Sequence, residues 1–492
     1  MSRCTPSQER FTQRIGSRAW PDRALRWTAR LAAALLLSGL LEPGALAQES
    51  GTDPSTETQA DSPVAATSID AADGKAPSPL GSEDAEAEYE VHPDPGSRAT
   101  EDDPNWLARA LAREAELLPQ IPISSPNGLF SSSAPAVLVA APESHDLGDF
   151  FQLSIGTQAP VECWVMPDDK DLAALLRKFS ESNFAQMAGS SSELEARAIE
   201  RVRSGSFGRH PHLGVDWLYR VRSAQGSLAG FLKLRAATVT GTTVFCQHNE
   251  LGYRGSFERV FQSVVENLES TAPKPPDPYY LEVVAVKIGG RPLGYTELWF
   301  TFDADGDTRI DKRSALLVPV DTSTLRAQDS LSIQYSTPDG TLINQVEVEA
   351  ENGELATHMT LIPDASGWQA EGLFQGQPSS VTLRPQFLTS LLGEVLRRRH
   401  LVSGESTSQG FSHVSWEATL DPASFFEKVT ELGERTEEGQ QVLMTVGDST
   451  LEGIAGDDGH LDSVAMTVGE NPVTLERIFH LGRVPGGEGT TP

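Results

Sequence analysis

Several groups of side chains in this 492-residue sequence have the types and spacing to do chemistry. Asp303, Asp305, Asp307 and Asp311 gather carboxylates around Gly306, the oxygen-rich donor set that a hard cation such as calcium takes. Cys163 and Cys246 form an even pair once Cys4, near the N-terminus, is set aside. In an exported chain such a pair reads as a disulfide, with two buried free thiols as the alternative. A Cys–His nucleophile at Cys163 is possible in principle, but a second cysteine favours structural pairing. His210, His212 and His248 offer imidazoles for zinc or copper. They lie far apart with no carboxylate placed by a motif, so surface histidines are expected. Arg397, Arg398, Arg399 and His400 form the dense basic run, read as the solvated end of a helix, where cations complement the dipole. Ser449, Asp457 and His460 have the residue types of a hydrolase. No nucleotide-binding glycine loop, zinc-protease helix or cofactor fingerprint is present.

Two of these groups resemble known families. The aspartate stretch resembles an EF-hand-type calcium loop, with Asp303, Asp305, Asp307 and Asp311 at positions one, three, five and nine and Ile310 at the apolar eighth. The resemblance implies a weak, structural calcium site. Thr308 stands where that family's sharp turn wants glycine, and Ser314 where a bidentate carboxylate closes the site. Gly447-Asp448-Ser449 resembles the nucleophile block of SGNH-type hydrolases, and Asp457-Asp458-Gly459-His460 resembles their D-x-x-H block. In that family a whole α/β domain separates the two blocks. Here only 450–456 do, so the stretch is read as β-hairpin material.

The elements that must position these residues divide the chain. A basic leader from Arg3 to Arg30, the apolar run Leu31–Leu41 and Ala45-Leu46-Ala47 make a three-part secretory signal, so 1–47 is expected to be cleaved after about Ala47. The apolar run is shorter than the ~20 residues a bilayer span needs. Residues 48–104 read as a disordered acidic tether. A short helix at Trp106–Leu117 and a linker at Pro119–Pro135 fill 105–135. Residues 136–270 read as an α+β lobe, with helices capped near Asp168 or Asp169 and by Ser192 (Glu193–Val202), and a last one carrying Phe257, Val260, Phe261, Val264 and Val265. Pro273, Pro275, Pro276 and Pro278 make 271–278 a stiff joint between two separately cored lobes. Residues 279–484 read as a mainly antiparallel β lobe with helices at Phe387–Arg397 and Ala423–Leu432, and 485–492 as a flexible tail. Val346, Val348 and Ala350 alternate with Glu347, Glu349 and Glu351, which predicts a buried aliphatic face and a wet acidic one. Asn352-Gly353 then closes a hairpin.

The fold class expected is therefore α+β in two lobes. A formal charge of −30 argues against a phosphate-binding surface and so against nucleic acid. The expected function is an exported, non-catalytic binding or scaffold protein of the cell envelope, periplasmic or extracellular, with no transmembrane span in the mature chain. Its ligand would be apolar or a peptide, or its partner an envelope protein. A curved antiparallel sheet with helices laid against it resembles, as architecture alone, periplasmic lipoprotein-carrier domains. The alternatives are an extracytoplasmic hydrolase with unrecognised catalytic groups, or a calcium-stabilised surface or adhesion protein. Calcium is the one cofactor considered.

Overall fold

Helix α1 (Trp106–Leu111) leads into β1 (Gln120–Ser124) and β2 (Phe130–Pro135). Then come β3 (Val137–His145), β4 (Gly148–Ser154), β5 (Val161–Met166), helix α2 (Leu172–Gly189), β6 (Glu193–Phe207), β7 (His210–Ser223), β8 (Gly226–Val239), β9 (Thr242–Asn249), helix α3 (Arg254–Glu266) and β10 (Glu269–Ser270). After the proline joint come β11 (Tyr280–Ile288), β12 (Arg291–Phe302), β13 (Thr308–Pro319), β14 (Leu325–Ser336), β15 (Leu342–Glu351), β16 (Glu354–Asp364), β17 (Gly367–Phe374) and β18 (Gln377–Leu383). Helix α4 (Ser390–Ser403) precedes β19 (Phe411–Trp416), β20 (Phe425–Thr436), β21 (Gly439–Val446), β22 (Ser449–Ala455), β23 (Leu461–Val468) and β24 (Asn471–Gly482). This is a computed structural model, and it describes residues 105–189, 193–223, 226–271, 276–385, 390–403, 410–446, 449–468 and 471–483. The expected signal segment, acidic tether and C-terminal tail, with Pro273, Pro275, Gly447 and Asp448, lie outside the described residues.

The fold is mostly antiparallel β-sheet. A seven-stranded sheet runs β3-β4-β5-β9-β8-β7-β6, and β1-β2-β10 form a small one. Cys163 and Cys246 face each other across β5 and β9 and form a disulfide. The second half is a single sheet of fourteen strands, β18-β17-β16-β15-β14-β13-β12-β11-β24-β23-β22-β21-β20-β19. Its two edges meet through side chains. Leu383 of β18 and Trp416 of β19 share a core with Met359, Leu361, Trp368 and Ala370, so the sheet curls back on itself. Asn352 and Gly353 both have positive φ, as the tight β15–β16 hairpin requires, so the Asn-Gly turn stands where it was expected. No helix among the described residues is long and apolar enough to cross a membrane.

The two halves are not separately cored. Leu172, Leu176, Trp217, Leu232 and Phe245 bury against Val283, Tyr295, Ala315, Leu317 and Ala327 in one cluster spanning the proline joint. Polar contacts cross it as well. Asp329 of β14 accepts hydrogen bonds from the Ala173 and Ala174 backbone N–H groups at 3.0 and 2.9 Å, and so caps α2 from the other half. Arg313 donates to Asp169 at 2.6 Å, and Ile199 N–H to the Thr322 carbonyl at 2.7 Å. The described residues on either side of the joint therefore pack as one core, not as two separate ones.

Four local expectations are corrected. Glu193–Val202, rich in helix formers, is the start of strand β6, where pairing with β7 overrides propensity. Ala423–Leu432 mostly forms β20, held between β19 and β21. Residues 119–135 are not a linker but the β1–β2 pair. The leading helix is shorter than read, and it docks: Ala110 packs with Phe231 and Leu251. Glu114 just beyond it accepts from the Gly255 and Ser256 N–H groups at 2.7 and 2.6 Å, doing for α3 the capping that Tyr253 does not.

Candidate functional site

The register across six strands stacks side chains in rows on the inner face of the curled sheet. One row reads Glu282, Leu298, Lys312, Ser332, Glu347, Met359, and the next Tyr280, Phe300, Ile310, Gln334, Gln345, Leu361. This inverts the expectation for residues 346–349 of β15, while Ala350, past a register shift, is buried as read. Glu347 and Glu349 are 1% and 4% exposed, while Val346 and Val348 are only half-buried. The alternation was real, but the carboxylates face inward. The aliphatic cores lie elsewhere, on the outer face against the first half and at the curled edges.

Inside the curl lies a cavity of about 300 Å³, at the lower end of the roughly 300–1,000 Å³ of small-molecule sites. Its apolar wall includes Leu298, Phe300, Ile310, Leu342, Trp416 and Leu475. Its charged wall holds Lys312, Arg397, Arg398 and Lys428 against Glu282, Glu394 and Glu417, four cations to three carboxylates in a protein of net charge −30.

Helix α4 supplies the arginines, 8% and 6% exposed, so the expected solvated basic run is for these two a buried one. Arg397 Nε donates to Glu394 Oε2 at 2.9 Å, and Arg398 Nε to Glu394 Oε1 at 2.7 Å. Burial would raise the Glu394 carboxyl, but the two guanidinium groups outweigh it and hold it well below its ordinary range. Arg398 lies over the Tyr280 ring at 4.9 Å and also meets His460. The His460 ring stacks on Tyr280 at 5.1 Å. Tyr280 hydroxyl and His460 Nδ1 are 2.7 Å apart, and the same hydroxyl donates to Glu282. Burial pushes Glu282 up, while its bond with His460 and the Arg398 charge bring it below the usual carboxylate value.

On the facing wall Lys428 donates to Glu417 Oε1 at 2.6 Å and stands directly opposite His413 across β19 and β20. Burial, with the Lys428 charge, pushes the His413 imidazole down to about 4, so it is neutral at pH 7. Glu347 accepts from Gln345 Nε2 at 2.7 Å and from the Thr419 N–H at 3.1 Å. Burial and the neighbouring Glu417 push its carboxyl up to about 8, and burial takes Lys312 down to about 8.

The aspartates read as a cation loop fall at the β12–β13 turn. Asp303 Oδ1 accepts from the N–H groups of Asp305 and Asp307 at 2.9 and 3.0 Å, so it shapes the turn. Asp311 lies on β13, paired with Arg309 at 2.7 Å. Among the described residues no three His, Cys, Asp or Glu side chains converge in a metal-holding group. His212 and His248, expected at the surface, are buried at 8% and 1% exposure, His212 stacked on Phe207 and His248 on Phe257. Ser449 opens strand β22, while His460 sits in the polar cluster by Tyr280. Sequence reasoning missed the cavity residues Lys312, His413 and Lys428. The glutamates alternating along β15, with Gln345 beside them, were the signal that the inner face of this sheet carries polar side chains.

No protein-family model matches the chain, and no curated protein matches it. Among solved structures it is similar to a crystal structure of a β-barrel-like protein of the domain of unknown function DUF1849 from Brucella abortus, at 12% identity and a TM-score of 0.32, over 42% of this chain and 97% of that one.

Proposed function

We propose that this chain is a non-catalytic binding protein of the cell envelope, and that its ligand lies inside the curled sheet. The observation that carries the reading is the cavity itself, which joins an apolar wall to a charged one. Its walls are faces of strands whose backbone groups are already paired in ladders. An extended peptide binds by adding its backbone to a free sheet edge. The cavity offers side chains, which suits a compact, partly apolar small molecule better. The disulfide and the absence of a membrane-crossing helix among the described residues are compatible with export.

Trp416, which lines the cavity at 1% exposure, is the built-in reporter. Titrating the folded protein with decanoate should change its fluorescence saturably, and Trp416→Phe should remove most of that change. Native mass spectrometry of protein from its own host should show a non-covalent adduct of small mass. No adduct, together with no saturable response to decanoate, would overturn the reading.

A further inference from the structure

Glu394 engages Arg397 through Nε and Nη2, which leaves the third guanidinium nitrogen, Nη1, buried with no hydrogen-bond partner among the described residues. The residue lines the cavity and is more than nine-tenths buried. A buried cationic donor without an acceptor is costly, and such groups normally find a partner. A second donor site in the same cavity wall is also unfilled: His413 Nδ1 is buried and has no partner among the described residues. The neutral imidazole can present an N–H there. Two donors and an excess of one cation in the lining match a single negative charge bearing two acceptor oxygens. Leu298, Phe300, Ile310 and Leu342 supply an apolar wall to the same space.

We propose that the cavity takes a monoanionic amphiphile, an aliphatic carboxylate, with its head on Arg397 and His413 and its chain against the apolar wall. This deepens the reading of the cavity as a ligand site and rests on it. A dianionic phosphate head would bring one charge more than the lining offsets.

The test is titration of the folded protein with decanoate, decanol and decyl phosphate, read by Trp416 fluorescence and calorimetry, with unaltered protein and with Arg397→Gln. Unaltered protein should bind decanoate at least about tenfold tighter than decanol, and no weaker than decyl phosphate. Arg397→Gln should bring decanoate to the level of decanol and leave decanol unchanged. Equal binding of the acid and the alcohol overturns the carboxylate head while leaving the cavity a ligand site. Tighter binding of decyl phosphate overturns the monoanion. A preference for the acid that survives in Arg397→Gln overturns the assigned anchor. Binding of none of the three overturns the cavity reading, and this inference with it. The acid–alcohol comparison uses unaltered protein, so it decides the matter even if Arg397→Gln fails to fold. His413→Ala, which keeps the α4 ion pairs, should lower the acid's affinity alone.

Discussion

Glu297 gives the sharpest test of how the two halves are joined. It lies on β12 facing away from the cavity, toward the seam with the first half, at 2% exposure. Its partner across the ladder is Arg313, whose guanidinium is bound to Asp169 of the first half. Burial pushes the Glu297 carboxyl from its ordinary 4.5 up to about 7; the Arg313 charge works against this and Asp169 adds to it. A carboxyl raised by folding contributes stability that is fully present below pH 4.5 and is lost as pH rises through 7. At about 1.4 kcal/mol per pH unit across that interval, ionisation costs the folded state about 3 kcal/mol by pH 8. Glu297→Gln keeps the shape and removes the titration. Its urea-unfolding free energy should match that of the unaltered protein near pH 4.5 and exceed it by about 3 kcal/mol at pH 8. A difference that stays constant from pH 4.5 to 8 would show that the carboxyl is not desolvated, and the packed seam would lose its support.

Other perturbations probe the remaining links. Asp329→Ala removes both acceptors at the start of α2 and should cost about 1–2 kcal/mol. Limited proteolysis should then show both halves opening together, whereas opening confined to one half would contradict a shared core. Reducing Cys163–Cys246, which closes a loop of 83 residues, should destabilise the fold by about 2–5 kcal/mol, and thiol titration of the unreduced, unfolded chain should find the pair blocked. Asp303 Oδ1 is taken up by its turn and Asp311 is paired with Arg309, so millimolar calcium should release no heat in calorimetry. A saturable signal lost in Asp305→Asn would restore the loop as a cation site.

Local signals in the sequence were legible where local physics decides the outcome. The Asn352-Gly353 turn, the Cys163–Cys246 pair and the apolar face of α3 all follow from neighbours within a few residues or from simple parity. Elements whose state depends on distant partners were not. Glu193–Val202 has good helix formers, yet β7 captures it as a strand. The caps of α2 and α3 come from Asp329 and Glu114, each more than a hundred residues away, and for α2 Asp329 takes the place of the local cap read near Asp168 or Asp169.

The most instructive difference is β15. Alternation fixes that successive side chains face opposite ways, but not which way is in. Assigning the glutamates to solvent assumes that a buried face must be aliphatic. In a sheet that curls around a cavity, the enclosed face can carry polar groups, and the outer face can be buried by a second layer. Both conditions are met here: Glu347 and Gln345 face inward, while the outward Val283 and Leu317 meet α2 and the seven-stranded sheet. The same inversion places Arg397, Lys312 and Lys428 inside an acidic protein. Burying so many ionisable groups opposes folding unless they are paired. Arg397 and Lys428 are paired, and the Arg397 guanidinium nitrogen with no partner among the described residues, Nη1, belongs to a side chain that lines the cavity a ligand would fill.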